Sequence, residues 1–213
     1  MRVFLIRHGR QSDARCNVDV GLAEEGRQQA ALTGHRMSDW GIRRIISSDL
    51  IRARQTAEIM NEHLGVPHQI VPELREISFG EMEGLTDAEI AVRFAGFKRR
   101  QDALDLDLRY PGGENAADLL QRVVPAVKAI VEAGEGPVAI ATHGGVIRTL
   151  VSYVTQAPLA RWRLVGTSLE NGSITELAWK PGAGTFSLER FNDHAHLEAY
   201  PALLRAAWGV DEN

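Results

Sequence analysis

Two histidines stand at points where short apolar runs end. His8 follows the run Val3–Ile6, and His143 follows Val138–Thr142. Each histidine is succeeded by glycine, which allows the backbone to turn sharply and to approach a ligand closely. A neutral imidazole is a competent nucleophile near pH 7 and can carry a covalent intermediate. These positions therefore predict histidine chemistry at the ends of strands.

Arginines accompany the two histidines. Arg7 adjoins His8, and Arg52 lies in the helical segment that Ser48-Asp49 opens. Phosphoryl transfer requires the charge on three equatorial oxygens to be balanced in the transition state. The planar fork of arginine suits this task because it donates paired hydrogen bonds and stays charged. We therefore expect Arg7 and Arg52 to hold a phosphoryl group, with His143 as a third donor when it is protonated.

The leaving alkoxide of such a reaction needs a proton from an acid. Glu76 lies in Leu74–Gly80, just past the third apolar run, and is the first candidate. Other glutamates crowd the same segment, and Glu83 is the alternative.

Four short runs, rich in β-branched residues, predict buried strands. They are Val3–Ile6, Ile42–Ile46, His68–Val71 and Val138–Ala141. Helical patterns fall between them: apolar residues recur at i, i+3 and i+4 from Leu120 to Val131. Asn115 is placed to cap that helix, and Thr86–Glu89 has the form of a capping box. Strands that alternate with helices predict an α/β sheet with helices on both faces.

Two later segments, Ser173–Trp179 and Phe186–Phe191, alternate apolar and polar residues around a turn at Lys180–Gly184. This pattern predicts an antiparallel hairpin at the sheet edge. The expected fold is a three-layer α/β/α sandwich with a central, mostly parallel, mixed sheet. Ligands of such sheets bind beyond the carboxyl ends of the strands, so the candidate residues should meet at one rim.

Six segments resemble, in the family's order, the signature motifs of the histidine phosphatase (phosphoglycerate-mutase-like) superfamily. They are Leu5–Gly9, Gly21–Ala30, Ser47–Ala57, Leu74–Gly84, Pro111–Asn115 and Thr142–Arg148. The resemblance implies a phosphoglycerate-mutase-like fold, a phosphohistidine on His8 and a proton donor at Glu76. It also implies a set of residues that bind phosphate or substrate: Arg7, Arg52, His143, Gly144, Asn17 and Gln11.

The loop Arg10–Asn17 departs from the family pattern. After Arg-His-Gly the family commonly has an acidic residue or Gln, then Thr or Ser, with an Asn a few residues on. Here Arg10 adds a positive charge, and Asn17 is displaced if it plays the Asn part. Contacts of Gln11 and Asn17 with the substrate are expectations from this resemblance.

The sequence favours a metal-independent phosphomonoester hydrolase that needs no cofactor. Mutases must keep water from the phosphohistidine, and the glycolytic mutases that the chain resembles have a longer insertion and a lysine-rich tail. Here about thirty residues separate Gly80 from Pro111, and Ala206–Asn213 contains no basic residue. Two rival hypotheses are a phosphoglycerate-type phosphomutase and a non-catalytic protein that binds a phospholigand.

Specificity for a small phosphorylated metabolite is expected to reside in three segments: residues 85–110, the loop Arg10–Asn17 and the C-terminal tail. Within the first, Lys98–Arg100 is most simply a solvated helix face. The alternative is that these basic residues hold a second acidic group of the substrate.

Composition limits the partners. A net charge of -4 and a pI near 6.0 argue against nucleic-acid binding. The single cysteine, Cys16, is consistent with a reducing cytoplasm. The run Val3–Ile6 is too short for a signal segment or a membrane span, so we expect a cytoplasmic protein that does not bind membranes. One domain over residues 1–213 is expected, with 85–110 as a cap, and a homodimer is left open.

Overall fold

The computed structural model describes residues 1–207. Within them, six strands form one sheet in the order β3-β2-β4-β1-β5-β6. The first four strands of that order pair in parallel, whereas β5 pairs antiparallel with both β1 and β6. The strands are β1 (Arg2–Arg7), β2 (Arg44–Ser47), β3 (His68–Ile70), β4 (Val138–Thr142), β5 (Ile174–Lys180) and β6 (Thr185–Asp193).

Six α-helices lie between the strands of the described chain. They are α1 (Glu24–Met37), α2 (Ile51–Leu64), α3 (Asp87–Arg93), α4 (Ala95–Asp102), α5 (Ala116–Glu132) and α6 (Gly144–Val154). Both expected caps are present: Thr86 accepts a hydrogen bond from the Glu89 amide, and Asn115 accepts one from the Asp118 amide. The local sequence therefore determines where α3 and α5 begin. No helix of the described residues is both long and apolar enough to cross a membrane.

The sheet separates two apolar cores. Phe4 and Ile6 of β1 belong to the core that α1 and α2 cover, whereas Val3 and Leu5 belong to the core under α5 and α6. Successive side chains of a strand point to opposite faces of the sheet, so β1 contributes apolar residues to both cores. The α/β/α sandwich with a mixed sheet is confirmed.

Two details differ from the expectations. The run His68–Val71 was expected to be a buried strand, but β3 is a partly exposed edge strand and Ile70 is 44% exposed. An edge strand has a neighbour on one side only, so burial on both faces is not required of it. The second difference is that β2 begins at Arg44, two residues after its predicted start at Ile42.

The neighbouring ends of β1, β4 and β2 create the rim that positions the site. Arg7 pairs with Thr142 in the parallel register, so His8 and His143 leave adjacent strands at the same level. The last residue of β2, Ser47, pairs with Ala141. Parallel pairing thus brings residues from distant parts of the sequence to one edge of the sheet. The single-domain boundary, with 85–110 as a cap, stays a prediction.

Candidate active site

His8 leaves β1 with its ring almost completely buried, at 5% exposure. Its Nδ1 lies 2.7 Å from the Gly9 carbonyl oxygen, so Nδ1 carries the proton and Nε2 has the lone pair. The Arg52 Nε donates to that Nε2 at 3.3 Å, which agrees with this tautomer. Burial, with the charges of Arg52 and Arg7, holds the His8 pKa well below its usual value. The imidazole is therefore neutral, and the lone pair of Nε2 faces the Arg52 guanidinium.

The loop after His8 is fixed from three directions. The Gly9 amide donates to the Thr56 hydroxyl of α2 at 3.0 Å, and the Asn171 side chain donates to the His8 carbonyl at 2.7 Å. A Cβ on Gly9 would lie 2.3 Å from the Gly26 carbonyl oxygen, so the start of α1 packs directly on this loop. These contacts fix the backbone at His8 and Gly9; Asn171 was not predicted from the sequence.

Arg7 presents unused donors at the same rim. Its Nη1 donates to the Leu169 carbonyl, while its buried Nε has no hydrogen-bond partner among residues 1–207. Desolvation, followed by the charges of Arg205 and Arg148, lowers the Arg7 pKa to about 9. The guanidinium remains charged at neutral pH and can donate to an anionic ligand.

Arg52 is held by the loop that departs from the family pattern. Its Nη2 donates to the Asn17 side-chain oxygen at 2.6 Å, and its Nη1 donates to the Val18 carbonyl at 3.0 Å. Asn17 itself adopts φ +47°, a left-handed conformation that asparagine tolerates. The displaced Asn17 thus lies at the cavity, where its oxygen positions Arg52. Its expected contact with substrate stays a prediction.

His143 is fully buried, with its ring 5.2 Å from that of His8. Its Nε2 lies 2.7 Å from the Ser48 hydroxyl, and its Nδ1 has no partner within the described chain. Burial, then Arg52 and His8, keep the His143 pKa well below its usual value. Burial therefore favours the neutral imidazole of His143 in the free protein. Gly144 begins α6 beside Arg7.

Glu76 faces the N-terminus of α6. Its Oε2 accepts from the Gly145 amide at 3.1 Å, and its Oε1 accepts from the Ile77 amide at 2.9 Å. A Cβ on Gly145 would lie 2.3 Å from Oε1, so glycine is needed for this close approach. The carboxylate is thus anchored by backbone donors.

Glu83, the alternative acid, has a different role in the structure. Its Oε1 accepts hydrogen bonds from the Asn17 side chain, the Ser78 hydroxyl and the Phe79 amide. These bonds tie two loops together. Of the two glutamates, Glu76 lines the cavity, and the geometry favours it as the acid.

A cavity of about 550 Å³ unites most of the expected residues. Its wall includes Arg7, His8, Gln11, Asn17, Arg52 and Glu76. The Gln11 side chain donates to the Asp13 carbonyl at 2.6 Å and so stabilises the loop. His143 and Gly144 are both buried beside these wall residues.

Sequence reasoning missed several wall residues. Phe79 packs against the core, with its ring centroid 4.8 Å from that of Tyr110, and also lines the cavity. Cys16 also lines the wall, where burial raises its pKa to about 12, so the thiol stays protonated. Arg205 reaches the cavity from the C-terminal tail. The segment Ala206–Asn213 contains no basic residue, but Arg205 directly precedes it. Positions 208–213 lie outside the described residues.

Residues 1–207 contain no group of three His, Cys, Asp or Glu side chains that could hold a metal ion. The charges at the candidate site come instead from guanidinium groups.

The chain resembles known proteins over nearly its whole length. A family model of the histidine phosphatase superfamily (branch 1) matches residues 3–194. A probable phosphoglycerate mutase, GpmB, of Salmonella paratyphi B is 33% identical over 213 residues, spanning 95% of this chain and 97% of that protein.

Solved structures give the same picture. A mycobacterial glucosyl-3-phosphoglycerate phosphatase in complex with inorganic phosphate is 29% identical, with TM-score 0.81 over 92% of this chain and 98% of that one. The Bacillus stearothermophilus protein YhfR is 31% identical, with TM-score 0.82 over 92% of this chain and 99% of that one.

Proposed function

Because the chain belongs to the histidine phosphatase superfamily, we propose that it hydrolyses phosphomonoesters of small metabolites through a phosphohistidine on His8. One observation carries the proposal: the lone pair on His8 Nε2 is held at a cavity beside Arg7 and Arg52. A neutral nucleophile between two cations is suited to attack on a dianionic phosphorus centre, since the cations balance its charge.

The chemistry proceeds in two displacements. His8 Nε2 forms a bond to phosphorus as the bond from phosphorus to the leaving oxygen breaks, and Glu76 gives that oxygen a proton. Water then attacks the phosphohistidine, Glu76 takes a proton from it, and the bond between phosphorus and Nε2 breaks to release inorganic phosphate. Arg7 and Arg52 donate to the phosphoryl oxygens in both steps.

Two unused donors at the site support phosphate binding. The Arg7 Nε and the His143 Nδ1 are buried and have no partner among residues 1–207. A buried polar group without a partner costs about 1–3 kcal/mol, which a bound phosphoryl oxygen would offset. When Nδ1 of His143 donates to the ligand, Nε2 accepts from the Ser48 hydroxyl, so both ring nitrogens are satisfied.

A phosphomutase is the second candidate, and the 33% identity to a probable phosphoglycerate mutase favours it. Against it, Ser12, Ala14 and Arg15 lie on the cavity wall and are exposed, so water can reach the site. A non-catalytic protein that binds a phospholigand is the third candidate. It needs no nucleophile, whereas His8 is held in the reactive tautomer.

Product analysis should separate these candidates. Wild-type protein should release phosphate from p-nitrophenyl phosphate, and with 3-phosphoglycerate plus a trace of 2,3-bisphosphoglycerate it should form free phosphate with little 2-phosphoglycerate. Rapid formation of 2-phosphoglycerate with little free phosphate would establish the mutase instead. Phosphate binding without turnover of any phosphomonoester would establish the binding protein.

Activity should survive removal of divalent metals, because arginines at the site supply the charge that magnesium supplies elsewhere. Assay with p-nitrophenyl phosphate in excess EDTA should give the rate of the untreated protein within about twofold. Orthovanadate should inhibit competitively, since it adopts the five-coordinate geometry of the reacting phosphorus. Loss of activity on chelation, restored by one divalent ion, would overturn this expectation.

A further inference from the structure

We infer that Arg122, paired with Glu114, is a positioning residue for the reaction. It holds the backbone of residues 73–78, the acid segment, and so sets where the Glu76 carboxylate can give and take a proton. The inference rests on the proposed function, in which Glu76 is the general acid. It also gives a role to the motif Pro111–Asn115, which the proposed mechanism leaves unused.

The acid segment has little regular structure of its own. Its first two residues complete a short 3-10 helix, Pro72–Leu74, and residues 75–79 follow an irregular path. Backbone carbonyls in such a segment must find their partners outside a helix or a sheet ladder. The place of the Glu76 backbone therefore depends on groups from other parts of the chain.

Arg122 of α5 provides these partners. Its Nη1 donates to the Glu73 carbonyl at 2.7 Å and to the Arg75 carbonyl at 2.8 Å. Its Nη2 donates to the carbonyl of Glu76 itself at 2.8 Å. One guanidinium thus binds three carbonyls of the acid segment, including that of the residue that carries the acid.

Glu114 fixes the orientation of that guanidinium. Arg122 Nε donates to Oε1 and Nη2 donates to Oε2, both at 2.8 Å, and the two side chains are only 24% and 22% exposed. Burial acts to raise the Glu114 pKa, but hydrogen bonds from Arg122 and from the Ser78 amide lower it overall, so the carboxylate is charged at neutral pH. A planar, two-point pair of this kind holds an arginine in one orientation.

The motif that carries Glu114 packs directly on the acid segment. A Cβ on Gly113 would lie 2.4 Å from the Ser78 carbonyl oxygen, and the Glu114 amide donates to that same oxygen at 2.9 Å. The Glu114 carboxylate also accepts from the Ser78 amide at 2.8 Å. Glu114 and Arg122 therefore hold the acid segment at both of its ends.

The Glu76 carboxylate has little freedom to tolerate a shift of its backbone. It accepts from the Gly145 amide at 3.1 Å, and a Cβ on Gly145 would lie 2.3 Å from its Oε1. Misplacement of a catalytic group by about 1 Å can cost about 100-fold in rate. Loss of the Arg122 contacts should therefore impair proton transfer while the phosphoryl-binding arginines, Arg7 and Arg52, stay in place.

The test compares single-turnover rates for two leaving groups. Arg122→Gln should lower the rate with glycerol 3-phosphate by about 10- to 100-fold and that with p-nitrophenyl phosphate by less than about threefold, because only the alkoxide needs the acid. The inhibition constant of vanadate should stay within about twofold. Arg122→Lys should show the same dependence on leaving group with a smaller loss, since an ammonium replaces part of the donor set.

Arg109 provides the matched control. It also pairs with a carboxylate of α5, that of Asp118, and donates to the Gly113 carbonyl, but its hydrogen bonds within residues 1–207 do not reach the acid segment. Arg109→Gln should therefore behave as wild type with both leaving groups.

A double-variant cycle separates positioning from general stability. In a Glu76→Gln background, Arg122→Gln should cost less than about threefold with glycerol 3-phosphate, because a residue that acts through Glu76 has no further effect once the acid is gone. Independent, multiplying losses in the double variant, or equal losses on both substrates with weakened vanadate binding, would overturn the inference.

A second readout does not depend on turnover. The Gly145 amide donates to Glu76, so its NMR proton shift in Arg122→Gln should move toward the value in Glu76→Ala. The Gly9 amide, which donates to Thr56, should keep its wild-type shift. An unchanged Gly145 signal would contradict the positioning role, whereas a wild-type protein that releases no phosphate would contradict only the proposed hydrolase.

Discussion

Replacement of His8 by alanine should lower kcat/KM for p-nitrophenyl phosphate by about 10⁴-fold or more, because the remaining members of a catalytic unit contribute little without the nucleophile. The variant keeps Arg7 and Arg52, so it should still bind vanadate or phosphate. Wild-type protein that is quenched during turnover should carry a base-stable, acid-labile phosphoryl label on His8. We expect both the loss of rate in the variant and the label on the wild-type protein because Nε2 of His8 has a lone pair that can attack phosphorus.

His35→Ala is the matched control for this change. His35 is exposed on α1, and its ring packs on that of His63. Its replacement should therefore leave the rate unchanged. Thermal unfolding of both variants separates lost chemistry from lost structure. A label on serine or aspartate, or a His8→Ala variant that retains a tenth of the wild-type rate, would contradict the phosphohistidine mechanism.

Substitution of Glu76 by glutamine should lower kcat for an alkyl substrate such as glycerol 3-phosphate by about 10²- to 10⁴-fold, the range of a general acid. The rate of the first displacement with p-nitrophenyl phosphate should fall much less, because its phenolate leaves with little protonation. The glutamine retains one oxygen for the Gly145 amide, but its NH2 group replaces the oxygen that accepts from the Ile77 amide, so one of the two backbone hydrogen bonds is lost. Single-turnover rates with the two substrates measure this difference directly.

Glu83→Gln provides the comparison that distinguishes the two glutamates. Glu83 accepts from the Asn17 side chain and the Phe79 amide, so its loss loosens the loops and should slow both substrates to a similar extent. A leaving-group dependence in Glu83→Gln, combined with equal losses in Glu76→Gln, would reverse the assignment.

Much of the architecture could be predicted because its causes are local. β4 is buried along its full length, as its continuous apolar run predicts for an interior parallel strand. The caps at Thr86 and Asn115 form within four residues of sequence. The edge strand β3 could not be told from an interior strand, because exposure depends on how many neighbouring strands the sheet supplies.

The arrangement of the loop at Arg10–Asn17 could be predicted only in part. Its extra charge was visible in the sequence, and the departure from the family pattern pointed to an altered substrate region. The bond from Arg52 to the displaced Asn17 was not visible, because it joins residues 35 positions apart through a left-handed turn. Side-chain contacts of this kind depend on the path of the loop.

The sequence by itself determined the family, the strand ends that carry His8 and His143, and the arginines, Arg7 and Arg52, that we expected beside them. These follow from short motifs whose residues act on their immediate neighbours. Only the tertiary structure decided the protonated nitrogen of His8, the place of Glu76 rather than Glu83 on the cavity wall, and the arrival of Arg205 at the cavity. Each depends on contacts between segments far apart in sequence, such as Gln29 with Leu203, 174 positions away. Local sequence patterns do not specify which distant segments meet, because these contacts form only when the sheet and its helices bring the segments together.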